Sequence, residues 1–345
     1  MSLPVPAGPA DITGDWLGAA LGRDIGDFSL TRIGEDQGFT GGGLFRLNFA
    51  DCDSLIAKLS PSDAQMRATF ARANAREVGF YSSFAAGLPV PGCAHAAFDA
   101  DTGASVLLLQ DLGKMRAGAF VDGVGLADAR AMVAALAEVH ATWWQAPQLA
   151  GLSGAGIIEE FSFADAWDAY PQSLAQVLPD IRLPDGFRAL GDHVATHWAA
   201  VFGALLEDGP LTVLHRDCQV DNVMFDAAGA ALLLDWQFMG KGRGVLDVAF
   251  GLISSMPPGL RRAEERGLVD FYHAEMIRRG VHGYTARQCW AEYRQSAVAR
   301  LFVSVVATVL LDNSSPAKQA WRRADLHRLL AFCSDHALCP ADFST

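Results

Sequence analysis

The chain has 345 residues, 51% hydrophobic and 19% charged, which is enough apolar material for two domains or one large cleft-bearing domain and too much for a disordered chain. Its formal net charge of −12 repels phosphate backbones and so argues against nucleic acid as a partner. That charge suits a cationic ligand, but no better than it suits any acidic soluble protein.

Residues 28–33 and 44–49 have strand length and apolar clustering, and the glycine-rich stretch 34–43 between them is a turn-rich connection. A third short strand is expected at 54–59. Residues 62–86 place Met66, Phe70, Ala73, Glu77, Tyr81 and Phe84 at helical spacing, with Pro89 and Pro91 as terminators. Residues 106–109 read as a buried strand leading into Gln110-Asp111-Leu112-Gly113. Beyond 113 the pattern turns helical: 126–144 carries Met132, Val133, Leu136, Val139, His140 and Trp143 on one face, and 157–206 is mostly helical with breaks expected at Pro171, Pro179 and Pro184. A strand at 213–215, a loop, and a hairpin of 222–225 and 231–235 interrupt the helices, which resume near Val245. The apolar stretch 301–311 is too short to span a bilayer and predicts a core helix. The expected organisation is α+β and bilobal: a small N-terminal β-sheet lobe with one main helix at 1–109, a hinge at 110–113, and a larger, mainly helical C-terminal lobe at 114–345.

The six cysteines, Cys52, Cys93, Cys218, Cys289, Cys333 and Cys339, form neither a C-x-x-C pair nor a zinc-ligand spacing and read as reduced thiols. The first residues lack a basic segment followed by an apolar run. A cytoplasmic protein without a membrane span is expected.

The chemistry concentrates in His215-Arg216-Asp217-Cys218-Gln219-Val220-Asp221-Asn222, followed after the hairpin by Asp235-Trp236. Phosphoryl transfer to an alcohol needs a carboxylate to accept or orient the hydroxyl proton, oxygen ligands for Mg²⁺, and a cation for the phosphates. Asp217 fits the base, and Asn222 and Asp235 fit the metal ligands. His215 reads as a core histidine bracing the loop, Cys218 as an inert buried thiol, and Asp221 and Asp226 as turn or cap residues.

Lys58, on a strand, and Glu77, in the middle of the following helix, form the second signal. An unpaired carboxylate among Ala73, Val78 and Phe80 would be costly to bury, so an ion pair is expected that holds the ammonium over the phosphates of ATP. The connection 34–43 could cover those phosphates with backbone N–H groups, although it matches neither G-x-G-x-x-G nor a P-loop. By order along the chain, Gln110 to Leu112 would meet the adenine edge.

These residues resemble the aminoglycoside phosphotransferase and choline kinase superfamily, and within it most the ecdysteroid-kinase-like group and its bacterial relatives, over about residues 28–332. The resemblance is carried by Lys58, Arg76-Glu77-Val78-Gly79-Phe80-Tyr81, Leu108-Leu109-Gln110-Asp111-Leu112, the stretch 136–144 ending in Trp143-Trp144, the stretch 214–225, Leu234-Asp235-Trp236-Gln237, Asp247-Val248-Ala249-Phe250 and the stretch 284–290. It implies a protein-kinase-like fold, ATP as donor, Mg²⁺, Asp217 as base, Asn222 and Asp235 on the metal, Lys58 with Glu77 on the phosphates, and Asp247 as a brace for the catalytic loop. Arg216 stands where such kinases usually carry glycine, and Gln110 where an acidic residue is common.

The expected function is an ATP-dependent kinase acting on a small-molecule hydroxyl. Phe161, Phe163, Trp167 and Tyr170 are candidates to line the acceptor pocket, and eight tryptophans favour a lipophilic alcohol such as a steroid or hydroxyacyl compound. The alternatives are an aminoglycoside- or choline-type kinase with a cationic acceptor, an inactive nucleotide-binding scaffold, and a metal-dependent hydrolase using His215, Asp217 and Asp235. The last leaves Lys58 and Glu77 without a role.

Overall fold

The computed structural model describes residues 3–34, 42–50, 52–154 and 161–343. It divides into two compact units, one of Met1–Met115 with Leu234–Phe238 and the other of Arg116–Leu233 with Met239–Thr345.

In the first unit, helix α1 (Gly14–Leu21) starts at Thr13, whose side chain accepts from the Trp16 N–H, and ends at Gly22 in the left-handed region. Then come β1 (Phe28–Ile33), β2 (Gly43–Phe49), β3 (Leu55–Leu59), helix α2 (Ala64–Ser83), β4 (Cys93–Phe98) and β5 (Ser105–Gln110). The strands form one antiparallel sheet in the order β1-β2-β3-β5-β4. Trp16 and Leu17 of α1 share a core with Leu47, Ala57, Leu59, Val106 and Leu108 of the sheet. Because side chains alternate along a strand, Lys58 points to the face opposite Ala57 and Leu59, where α2 packs against β4 and β5. Hydrophobic periodicity predicts neither α1 nor β4. The first is only eight residues long, and Cys-Ala-His-Ala-Ala-Phe has little intrinsic strand preference, so pairing with β5 decides it.

The second unit contains β6 (Arg116–Ala117), α3 (Leu126–Thr142), α4 (Phe163–Val177), α5 (Asp185–Leu206), β7 (Thr212–Leu214), β8 (Val223–Phe225), β9 (Ala231–Leu233), β10 (Gly240–Gly242), α6 (Val245–Ser255), α7 (Pro258–Arg278), α8 (Ala286–Gln295), α9 (Ala297–Leu310) and α10 (Pro316–Asp335). Two small antiparallel sheets, β6-β8-β9 and β10-β7, frame the loop between β7 and β8. Every residue of α6 is buried, and α9, the core helix expected from the run 301–311, packs against α4, α6 and α10. Among the described residues no helix is long and apolar enough to cross a membrane.

Two sequence expectations need correction. Pro171 does not break α4, which runs through it. The missing N–H forfeits one hydrogen bond and the proline costs about 3 kcal/mol, whereas buried Phe163, Trp167, Tyr170 and Leu174 each contribute about 1.5–3 kcal/mol by burial. The second hairpin strand stops at Leu233, and Asp235 lies beyond it with a φ of 62°. The α+β class itself, a small antiparallel sheet with one main helix followed by a mainly helical remainder, is as expected.

Candidate active site

In the first unit Lys58 Nζ donates to Glu77 Oε1 at 2.8 Å and to Asp235 Oδ1 at 3.0 Å. The expected pair exists, and Asp235 joins it. Register places Lys58 between Leu44 of β2 and Leu107 of β5, so the ammonium projects from the centre of the sheet. Burial alone would pull its pKa down, but the charges of Asp235 and Glu77 outweigh it and hold the pKa above the ordinary lysine value. Burial pushes the Glu77 carboxyl up, Lys58 opposes this, and the like charge of Asp235 adds to the rise. Two carboxylates thus share one ammonium.

Residues 234–238 are fixed on this unit by packing. The Trp236 ring stacks on Phe80 at 3.7 Å, and Arg76 donates to the Gln237 carbonyl at 3.1 Å. Asp235 takes the left-handed conformation, which costs a residue with a side chain about 1–3 kcal/mol. Its carboxylate is about a third exposed, and only Oδ1 is engaged by Lys58.

At the end of β5, Gln110 donates its backbone N–H to the Gly92 carbonyl at 2.7 Å, and its side chain accepts from the Gly92 N–H at 3.3 Å. The Leu112 carbonyl accepts from the Met115 N–H at 2.8 Å. Between them Asp111 accepts from Arg46 at 2.6 Å, from Ser54 at 2.7 Å and from the Gly113 N–H. Burial would raise its carboxyl pKa, but these donors hold it below the usual range. Sequence reasoning gave Asp111 no role of its own. Of the glycine-rich connection, residues 35–41 lie outside the described residues.

In the second unit, the loop after β7 hangs on Asp247 of α6. The fully buried Asp247 carboxylate accepts from the backbone N–H of His215 at 2.6 Å and of Arg216 at 2.9 Å, and the His140 ring lies 3.3 Å away, itself bonded to the Tyr272 hydroxyl at 3.0 Å. Asp247 is therefore the brace that the resemblance implied, and His140, placed by sequence only on a helix face, supports it. His215, fully buried, accepts from the Asp217 N–H at 3.1 Å, which uses its Nδ1 as a loop brace rather than as a ligand. Cys218, fully buried, donates to the Asp247 carbonyl, and burial pushes its thiol pKa well up, so it is inert as expected.

Asn222 Nδ2 donates to both the carbonyl and Oδ2 of Asp217, each at 2.8 Å. That double bond orients the amide so that its oxygen is left to accept, the chemistry a hard cation requires. Asp217 is half-buried and aimed by this contact. Asp226 caps a turn through the Ala228 and Ala230 N–H groups, as expected. Asp221 is more than a turn residue: it accepts from the Phe120 N–H at 2.8 Å and from Trp321 Nε1 at 3.2 Å, tying the loop to α10.

Of the aromatic candidates, Phe163 and Tyr170 are fully buried and Trp167 nearly so, in a stack with Trp198 and Phe302. They are mainly core. Trp167 alone of these three borders a recess of about 470 Å³, lined also by Pro171, Leu174, Ile181 and Leu183 and by the charged Arg182, Arg188 and Asp192.

Two predictions arise here. Burial would raise the Asp247 pKa, but hydrogen bonds from His140 and the His215 backbone hold it below the ordinary aspartate value. Its stabilisation is therefore complete above about pH 4 and is lost as pH falls through the depressed folded value. Asp247→Asn should lower stability by about 3–5 kcal/mol and flatten that acid limb, as read from denaturant midpoints across pH. Arg216 has a φ of 68°, and glycine there would relieve about 1 kcal/mol of strain. The buried guanidinium, however, bonds the carbonyls of Gly154 and Lys241, contacts worth about 1.5–3 kcal/mol each. Arg216→Gly should thus be net destabilising; a higher melting temperature would contradict the weight given to those contacts.

Residues 41–295 match the model of the phosphotransferase enzyme family. Among solved structures, a candidate aminoglycoside phosphotransferase of Ralstonia eutropha JMP134 is similar with a TM-score of 0.57 at 16% identity, covering 94% of this chain and 97% of its own. The choline kinase LicA of Streptococcus pneumoniae is similar with a TM-score of 0.55 at 12% identity, covering 94% of this chain and 99% of its own. A candidate fructosamine-3-kinase of Thermobifida fusca YX-ER1 gives 0.52 at 16% identity, covering 92% and 99%. These likenesses establish a shared kinase-like fold. No curated protein matches the chain.

Proposed function

The chain belongs to the phosphotransferase enzyme family, and on that premise we propose that it transfers the γ-phosphoryl group of ATP to a hydroxyl of a small lipophilic alcohol, with Mg²⁺ as cofactor. Asp217 accepts the hydroxyl proton, Asn222 and Asp235 provide oxygen ligands for the metal, and Lys58, held by Glu77, binds the phosphates. Gln110 and Leu112 meet the adenine edge through their backbone. The observation that carries this reading is the Asn222 clamp on Asp217, which fixes a half-buried carboxylate beside an amide whose oxygen is left to accept. The Asp235 carboxylate, with one oxygen on Lys58 and a third of its surface exposed, is likewise suited to a cation. When bound, Mg-ATP supplies the activated phosphoryl group and neutralises part of its charge.

The protein's own contribution is positioning. Asp247 sets the loop geometry through two backbone N–H groups, the loop aims Asp217, and the ammonium of Lys58 stays charged between two carboxylates. The finer placement in the ecdysteroid-kinase-like group is a proposal that rests on the sequence motifs from Lys58 to the stretch 284–290. A lipophilic acceptor is supported by the apolar residues of the recess beside Trp167, which Arg182, Arg188 and Asp192 also line. An inactive scaffold would have no use for Asp217 held in this way.

The test is a phosphorylation screen of neutral alcohols, hydroxy acids, amino sugars and choline-like amines with Mg-ATP, read by mass spectrometry. A lipophilic alcohol gaining one phosphoryl group is the expected hit. Hits confined to amino sugars or quaternary amines would overturn the acceptor assignment, and no Asp217-dependent hit in any class would overturn the kinase reading.

A further inference from the structure

Three arginines of the second unit, Arg300 on α9 and Arg322 and Arg328 on α10, are at most 4% exposed. Among the described residues, the carboxylate paired with any of them is that of Asp325. Arg300 bonds Asp325 Oδ1 through Nε and Nη2, while Arg322 Nη1 stops 3.9 Å from Oδ2, beyond hydrogen-bond reach. Arg322 Nε instead donates to Asn313 at 3.2 Å, and Arg328 is bonded only by the carbonyls of Phe120, Val121 and Ser254. The group thus holds three cations against one bonded anion. Arg300 Nη1, Arg322 Nη1 and Asp325 Oδ2 are buried with no hydrogen-bond partner. The Tyr170 hydroxyl meets the Ser304 side chain, with the charges of Asp325 and Arg322 beside it.

Such an arrangement is costly as it stands. Buried donors without partners and buried charge in excess each oppose folding, and burial already draws the Arg322 pKa down. An anion accepting from the open guanidinium nitrogens would offset both terms. A cationic acceptor would meet repulsion here.

The cluster also adjoins the catalytic loop. The Arg300 guanidinium lies over the rings of Phe250 at 4.7 Å, Trp321 at 5.6 Å and Phe120 at 5.9 Å, and Arg322 over Trp321 at 4.7 Å. The Trp321 Nε1 donates to Asp221, four residues beyond Asp217 in the same loop, and its ring stacks on Phe120 at 3.9 Å. Half-buried Trp321 is therefore both the outer wall of the arginine cluster and a strut of the loop.

We propose that Arg300 and Arg322, with Tyr170 and Ser304, form an anion-recognition site serving the acceptor, so that the phosphorylated alcohol is a hydroxylated lipophilic acid whose carboxylate is taken by the guanidinium groups. This rests on the kinase reading above and narrows its substrate class. The same chemistry would accept a free inorganic anion, so the test separates the two.

The probes are 12-hydroxydodecanoate, its methyl ester, and sodium sulfate. Each is titrated calorimetrically into wild-type protein, Arg322→Met and Arg322→Lys, with folding of each variant checked by circular dichroism, and turnover of the two alcohols is followed in parallel by ADP release. The hydroxy acid should bind the wild type about 10–100-fold more tightly than its ester, the range expected for charge-assisted hydrogen bonds. Arg322→Met should erase that preference, and Arg322→Lys should restore part of it. Sulfate bound by the wild type and lost in Arg322→Met would support the anion site and assign it to a free anion rather than to the acceptor. Equal binding of acid and ester by the wild type, with no sulfate binding, would overturn the proposal even if both alcohols are phosphorylated. Arginine-dependent binding of the acid with no turnover of any alcohol would instead retain the anion site and overturn the kinase reading.

Discussion

Replacing Asp217 with asparagine should lower kcat by about 10²–10⁴-fold, the range typical of removing a positioned general base. Asparagine keeps the size of the side chain and can still meet Asn222 through its amide oxygen, so the loop geometry, set mainly by Asp247 bonding the His215 and Arg216 N–H groups, should survive. What is lost is the charge proposed to accept the proton. The loss should therefore appear in kcat and kcat/KM together, with little change in melting temperature. A variant that retains wild-type turnover would remove Asp217 from the chemistry, and one that simply unfolds would be recognised by circular dichroism and replaced by Asp217→Glu, which keeps the charge but misplaces it.

Replacing Lys58 with methionine should act on both activity and stability. The ammonium is the shared partner of Glu77 and Asp235. Without it, a nearly buried carboxylate faces a second one with no cation between them. Breaking a fully buried pair costs about 3–5 kcal/mol; Lys58 keeps a fifth of its side-chain surface in contact with solvent, so the loss here should fall toward or below the lower end of that range. Catalytically, losing one preorganised charge on the phosphates should cost about 10²–10³-fold in kcat/KM. The double variant Lys58→Met with Glu77→Gln separates the effects: it should recover much of the stability and none of the activity. Recovery of activity in that double variant would show that Lys58 serves only to neutralise Glu77.

The parts of the candidate site written as short linear patterns are the ones that sequence can propose. The loop from His215 to Asn222, the following Asp235, and the pairing of Lys58 with Glu77 were all inferred from residue type and spacing, because a mid-helix carboxylate in an apolar setting demands a partner. The third member of that pair was not legible. Nothing in Leu-Asp-Trp-Gln says that Trp236 stacks on Phe80 and carries Asp235 to Lys58. The arginine cluster was equally hidden. Arg322, Asp325 and Arg328 recur every three residues along α10, a spacing that reads as a solvated charged face, and only the packing of α9, α10 and Phe120 turns that face inward. Short elements failed for the reason already seen at β4: where intrinsic preference is weak, the neighbouring strand decides. Pro171 failed the other way, because burial of the aromatic residues around it outweighs the one hydrogen bond it removes.

The central claim is that a phosphoryl group passes from nucleotide to alcohol, and following the fate of isotope-labelled γ-phosphate tests it most directly. With Mg-ATP and the best acceptor from the screen, the label should move onto the acceptor hydroxyl in step with ADP formation by the wild-type protein. Label that stays in ATP whatever alcohol is supplied, or that appears only as inorganic phosphate, would contradict it.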